Sequence, residues 1–137
     1  MKKLAVIATR GSYNNLLQVC ELVRIAATAG AQVSVLFRDE AALKLTNEKV
    51  KELMFSDGYR GREGRIREIL RDRSQHDLPA ILRDLKEKGD AKLSVCRDLV
   101  ECFELRVDQL IAELDEVQPA DTFWKEEVAQ ADQVLTF

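Results

Sequence analysis

Three short apolar runs constrain what this chain can fold into: Leu4-Ala5-Val6-Ile7-Ala8, Val33 to Phe37, and Leu93-Ser94-Val95. None alternates cleanly between apolar and polar residues, so each reads as a parallel strand covered on both faces rather than a strand with one wet face. The stretches between them have helical spacing. Ser12 can cap a helix to about Ala29, with Leu16, Val19, Cys20 and Val23 on one stripe and Gly30 as the stop. Asp77 as cap, Pro79 in the first turn, Ile81, Leu82 and Leu85 on one face, and Gly89 after the last turn define another. A helix over Asp39 to about Met54, open to a break near Thr46-Asn47, a short strand within Leu110 to Val117, a helix from Asp121 to about Ala131 and a last strand over Val134 to Phe137 complete the pattern. The alternation predicts one three-layer α/β/α domain over residues 1–137, with a five-stranded, mainly parallel sheet of the flavodoxin-like class.

A chain of 137 residues can bury roughly two thirds of its unfolded surface without staples. Its net charge of −3 argues against a general nucleic-acid or membrane-surface binder. Cys20, Cys96 and Cys102 are too few for a disulfide framework, and their odd number leaves at least one unpaired, which points to a reducing compartment. Arg10 ends the apolar run after Lys2-Lys3 short of a secretory h-region, so the expectation is a cytoplasmic protein that enters no membrane. No metal-ligand cluster and no glycine fingerprint for a nucleotide cofactor is present, so neither metal nor cofactor is expected.

The chemistry is expected at Lys92 to Cys102. Cys96 ends a buried strand and adjoins a helix start, the edge at which open α/β sheets bind ligands. The helix start and the adjacent Arg97 both favour a thiolate, making Cys96 the candidate nucleophile and Arg97 its stabiliser, provided the strand end is open to solvent. Cys96 as a plainly packed residue is the competing reading. The loop Gly11-Ser12-Tyr13-Asn14-Asn15 falls at the same sheet edge and can offer amides and hydroxyls to an anion, but without a phosphate-binding fingerprint it reads first as a structural turn and helix cap, with anion binding as its alternative. Cys20 lies in an apolar stripe and reads as core. Cys102 shares a face with Leu99 and Phe103 and reads as buried, with a resolving thiol as its other role. From Arg60 to Arg73, six arginines against Glu63, Glu68 and Asp72 leave a local net of +3, on a stretch with Ile66, Ile69 and Leu70 spaced for one apolar helix face. His76, the only histidine, reads as an exposed loop residue.

Lys3 to Thr9, the Gly11 to Leu17 turn, Gly30 to Phe37, Leu93-Ser94-Val95-Cys96 and the ending Ala120 to Phe137 together resemble the DsrE/DsrF-like family. The Gly/Arg-rich segment at about 57–76 departs from its pattern. The resemblance implies a sulfur-relay protein of trimeric or hexameric assembly, in which the cysteine matching Cys96 accepts sulfur as a persulfide and passes it to a small carrier protein. Members lacking that cysteine look like structural partners, so a non-catalytic subunit is the alternative, with a small-ligand or anion sensor as a third. Surplus apolar helix residues, Leu17, Leu22, Ile25, Phe123 and Trp124, also suggest a homo-oligomer.

Overall fold

The computed structural model describes residues 1–137. Strands β1 (Lys3–Ala8), β2 (Gln32–Phe37) and β3 (Ala91–Cys96) are built on the three apolar runs. Helix α1 (Tyr13–Thr28) joins the first two strands; α2 (Glu40–Lys44), α3 (Glu63–Asp72) and α4 (Leu78–Lys88) lie between the second and third. Helix α5 (Arg97–Cys102) follows β3 without a gap, then come β4 (Glu116–Gln118), α6 (Ala120–Phe123), a π-helical turn at Trp124–Val128, and β5 (Gln133–Thr136). Every strand pairing is parallel, in the order β4-β3-β2-β1-β5. The expected five-stranded three-layer α/β fold is what the chain adopts.

The two faces of the sheet are closed unequally. From β1 to β4 the chain advances one strand at a time in one direction, and right-handed crossovers send the connecting helices to one face. To place β5 on the far side of β1 the chain must return across the sheet, which puts α6 on the other face. On the first face Leu4, Val6, Val33, Val35, Leu93 and Val95 join α1 and α4 in a cluster of 27 buried residues. On the second, Ala5, Leu36 and Cys96 meet Phe123 in a cluster of four. The second face is thus the thin one.

Local chemistry sets the element ends. Gly30, at φ 98°, turns the chain out of α1 while the Ala31 N–H donates to the Ala26 carbonyl at 3.0 Å. Asp77 caps α4 by accepting from the Ala80 N–H at 3.2 Å, with Pro79 in the first turn. The helix expected over Asp39 to Met54 stops at Lys44. The Lys44 ammonium turns inward and donates to the carbonyls of Lys49, at 2.7 Å, and Glu52, while the Thr46 hydroxyl donates back to the Leu43 carbonyl at 3.1 Å. Burial pushes Lys44 down to about 8, against the opposing charge of Glu52. The strand expected within Leu110 to Val117 forms at Glu116–Gln118 instead. Leu110 and Ile111 are used as core under the loop, and the Asp115 carboxylate accepts from the Leu93 N–H at 2.7 Å and pairs with Lys86 at 2.5 Å. The expected helix from Asp121 to Ala131 is a short α-turn followed by a π-turn.

The Gly/Arg-rich segment folds as a solvated helix with one apolar face. Leu70 is buried, Ile66 and Ile69 are half-buried, and Arg67 donates to the Leu53 carbonyl at 3.2 Å from beside the Phe55 ring. His76 is exposed. No helix is long and apolar enough to cross a membrane.

Gly89 sits where the C-terminal ends of α1 and α4 converge: a Cβ there would lie 2.5 Å from the Ala27 Cβ. Gly89→Ala is expected to cost about 1–3 kcal/mol in urea denaturation by overpacking, whereas Gly58→Ala, with open space around it, should be nearly neutral.

Candidate functional site

Cys96 is the last residue of β3 and the N-cap of α5, so strand and helix meet at its backbone. β3 exits into α5 on the first face, and β4 exits toward α6 on the second. Open α/β sheets take ligands where neighbouring exits diverge, and Cys96 and Gln118, the two terminal residues, are direct register partners at that point. Strand alternation puts Ser94 on the same face as Cys96.

The strand end is not open. Cys96 has 0% exposure, enclosed by Ala5, Leu36 and Phe123, with Leu99 and Ala120 against the same cluster. Beside it are groups that have not been satisfied. Ser94 and Gln118 are 1% and 3% exposed, and the Ser94 Oγ and both polar atoms of the Gln118 amide lack hydrogen-bond partners. A buried amide or hydroxyl without a partner costs about 1–3 kcal/mol each, and this thin face carries two such residues around one thiol.

The segment over them is tied down by charge. The Glu127 carboxylate, on the π-turn, accepts from the Ser34 hydroxyl at 2.5 Å and pairs with Lys3 at 3.2 Å and Lys92 at 3.8 Å. Lys92 also pairs with Glu116 at 2.6 Å, and Lys3 donates to the Glu126 carbonyl at 3.0 Å. Burial alone would raise the Glu127 carboxyl; the hydrogen bonds from Ser34 and Lys3 and the charges of Lys3 and Lys92 outweigh it and hold the group below its usual range.

The other expected site residues are dispersed. Arg97 is exposed at the start of α5. Cys102 is exposed rather than buried, a correction that follows from helix geometry: the covered arc of α5 runs through Leu99, Val100 and Phe103, and Cys102 falls on its solvent flank. The Gly11 to Asn15 loop leaves β1, two strands and so about 10 Å from β3, toward the helical face opposite the Cys96 side chain. The polar side chains of Tyr13, Asn14 and Asn15 are already engaged. Tyr13 is fully buried and donates to the Gln75 carbonyl at 2.6 Å, Asn15 donates to the Arg10 carbonyl at 3.0 Å, and Asn14 exchanges hydrogen bonds with Ser56 at 3.1 and 3.0 Å. Ser12 occupies the N-cap of α1 without a side-chain bond, and Gly11 packs against the Glu40 backbone. This loop is a structural turn. Burial pushes the Cys20 thiol up to about 12, in keeping with its place in the core. No group of three or more His, Cys, Asp or Glu side chains gathers to hold a metal. Ser94, Gln118 and Glu127 were missed by sequence reasoning. Their trace was the polar residues Ser34, Lys92 and Ser94 recurring on one face of otherwise apolar strands.

A family model described as the DsrE/DsrF-like family matches residues 2–137. The chain belongs to that family. No curated protein matches it. Among solved structures it is similar to one titled as a protein of unknown function, MTH1491 from Methanobacterium thermoautotrophicum, at 10% identity and a TM-score of 0.66 over 98% of this chain and 99% of that one. A likeness at this identity shows a shared fold.

Two outcomes are expected of this arrangement. In the native protein iodoacetamide should modify Cys102 first, with Cys20 and Cys96 reacting only as the fold opens, as read by peptide mass spectrometry. Because the folded Glu127 carboxyl titrates below its unfolded value of about 4.5, the stability it contributes is complete above that value. It is lost as pH falls through the folded one, so Glu127→Gln should flatten the acid limb of the unfolding midpoint against pH.

Proposed function

We propose that this DsrE/DsrF-like protein is a sulfur-relay protein that carries sulfane sulfur as a persulfide on Cys96. The observation that carries this reading is the position of Cys96 at the divergence between β3 and β4, beside the unsatisfied Gln118 amide. The reaction is a thiolate displacement. Cys96 attacks the outer sulfur of a hydropersulfide donor, a new S–S bond forms at Sγ as the donor's S–S bond breaks, and the electron pair leaves on the donor thiolate. The Cys96 sulfur is oxidised, the donor's inner sulfur is reduced equally, and the proton stays on the transferred sulfur. Arg97, at the first helical position, adds positive charge on the solvent side of the strand end. Cys102, exposed at the C-terminal end of α5, is the entry point for a resolving or relay thiol.

The full burial of Cys96 favours a second reading, a non-catalytic subunit in which the thiol only packs. Both readings accommodate a homo-oligomer. Ile25 and Trp124 are 51% and 63% exposed, and β5 is an edge strand with Val134 partly bare. Phe123 does not belong to that surface, because it is spent on covering Cys96. Three free cysteines suit a reducing compartment, and a small sulfur-carrier protein is the expected recipient.

Mass spectrometry of the protein incubated with a hydropersulfide donor should find one added sulfur on the Cys96 peptide. Cys96→Ser should abolish it without changing the oligomer mass by light scattering. Loading that survives Cys96→Ser but not Cys102→Ser would move the chemistry to the C-terminal end of α5, and no loading on either would leave the non-catalytic reading.

A further inference from the structure

The reading of Cys96 as the sulfur acceptor leaves two facts unused: the thiol is sealed, and the polar groups sealed with it have nothing to bond. We propose that Gln118, with Ser94, forms a hydrogen-bonding cradle for the anionic outer sulfur of a Cys96 persulfide, and that the Ala120–Phe123 turn is the lid that opens to load it. The proposal rests on the sulfur-relay reading and adds the binding residues and the moving part.

Gln118 is the register partner of Cys96 on the adjacent strand, and Ser94 precedes Cys96 by two residues on the same face. Both are more than nine-tenths buried, and neither has a partner for its side-chain polar atoms. Apolar residues of similar size would pack here without that penalty. The Gln118 amide oxygen lacks a donor, and the Gln118 amide N–H and the Ser94 hydroxyl are donors that lack an acceptor. A persulfide on Cys96 supplies one, because it extends the side chain by one sulfur that carries negative charge when deprotonated.

The lid follows from how the face is closed. Phe123 covers Cys96 from a four-residue α-turn, which runs into the π-turn Trp124–Val128, a geometry that recurs at functional sites. The segment's polar tether, Glu127 on Ser34, Lys3 and Lys92, lies on strand positions well before the carboxyl ends that hold Cys96 and Gln118. Phe123 can therefore swing away from the thiol while that tether stays made. Trp124, 63% exposed beside it, gives a docking protein an apolar handle on the moving part.

The test uses the full chain and inorganic tetrasulfide as donor, with the Cys96 persulfide followed by mass spectrometry after the donor is removed. Gln118→Met, and Gln118→Leu as a second variant in case the first folds poorly, should keep the oligomer mass and unfold at or above the parent's midpoint. Each should nevertheless lose the Cys96 persulfide about tenfold faster, the effect of one hydrogen bond to an anion. A residue that only packed would lower the midpoint and leave the lifetime alone. Phe123→Ala should raise alkylation of unloaded Cys96 about tenfold, on the order of the protection one buried ring supplies, with Cys20 unchanged as the control for global opening. A persulfide that lasts as long in both Gln118 variants as in the parent overturns the cradle. Cys96 alkylation that stays unchanged in Phe123→Ala, or rises only together with Cys20, overturns the lid. Failure of the parent chain to load sulfur at all defeats the sulfur-relay reading and the cradle with it, while the alkylation experiment still decides the lid.

Discussion

Both faces of a parallel sheet have to be taken out of water, and in this protein one of them depends on a single carboxylate. Glu127 is pulled inward by the Ser34 hydroxyl and by the ammonium groups of Lys3 and Lys92, and it brings with it the only helical turns that cross the second face. A buried carboxylate without those partners would be expelled or neutralised. With them it clamps the segment, and Phe123, four residues earlier, is set over Ala5, Leu36 and Cys96. The sealed thiol, the thin cluster and the exposed Trp124 are all consequences of where that clamp lies.

The same arrangement shows why stability and chemistry pull apart here. On the reading proposed above a sulfur donor has to reach Cys96, yet the small apolar cluster on this face includes it as one of four members. A protein selected for packing alone would fill the β3–β4 crevice with apolar side chains. This one keeps a serine and a glutamine with unsatisfied polar atoms there, while Leu93 and Val95 of the same strand pack into the helical face.

Much of the fold was legible because it rests on short-range signals. The apolar runs of β1, β2 and β3, the Ser12 and Asp77 helix starts and the Gly30 and Gly89 stops all survive in the structure, since each is decided by a few neighbouring residues. The misread parts turn on long-range partners. Lys44 ends its helix by reaching carbonyls five and eight residues on, and β4 is displaced because Asp115 is claimed by Leu93 and Lys86. The place of Cys96 between strand and helix was legible, but its burial was not, because that depends on a phenylalanine 27 positions further along the chain. The structural reading of Tyr13, Asn14 and Asn15 holds, but the partners that satisfy them, Gln75, Ser56 and Arg10, could not be named from the local sequence.

The strand order also governs how the chain can assemble. β5 lies beside β1, and the backbone N–H groups of Lys2 and Lys3 donate to Asp132 across nearly the whole length of the sequence. Until those last residues leave the ribosome, β1 is an unpaired edge, and since Phe123 and Glu127 also come late, the Cys96 thiol has no cover. Contacts this distant in sequence are slow to form, and a bare edge meanwhile invites pairing with other chains. Residues 118–137 therefore finish the sheet and enclose its thiol in one event, so a nascent chain stalled before them would offer both an aggregation edge and an uncovered thiol.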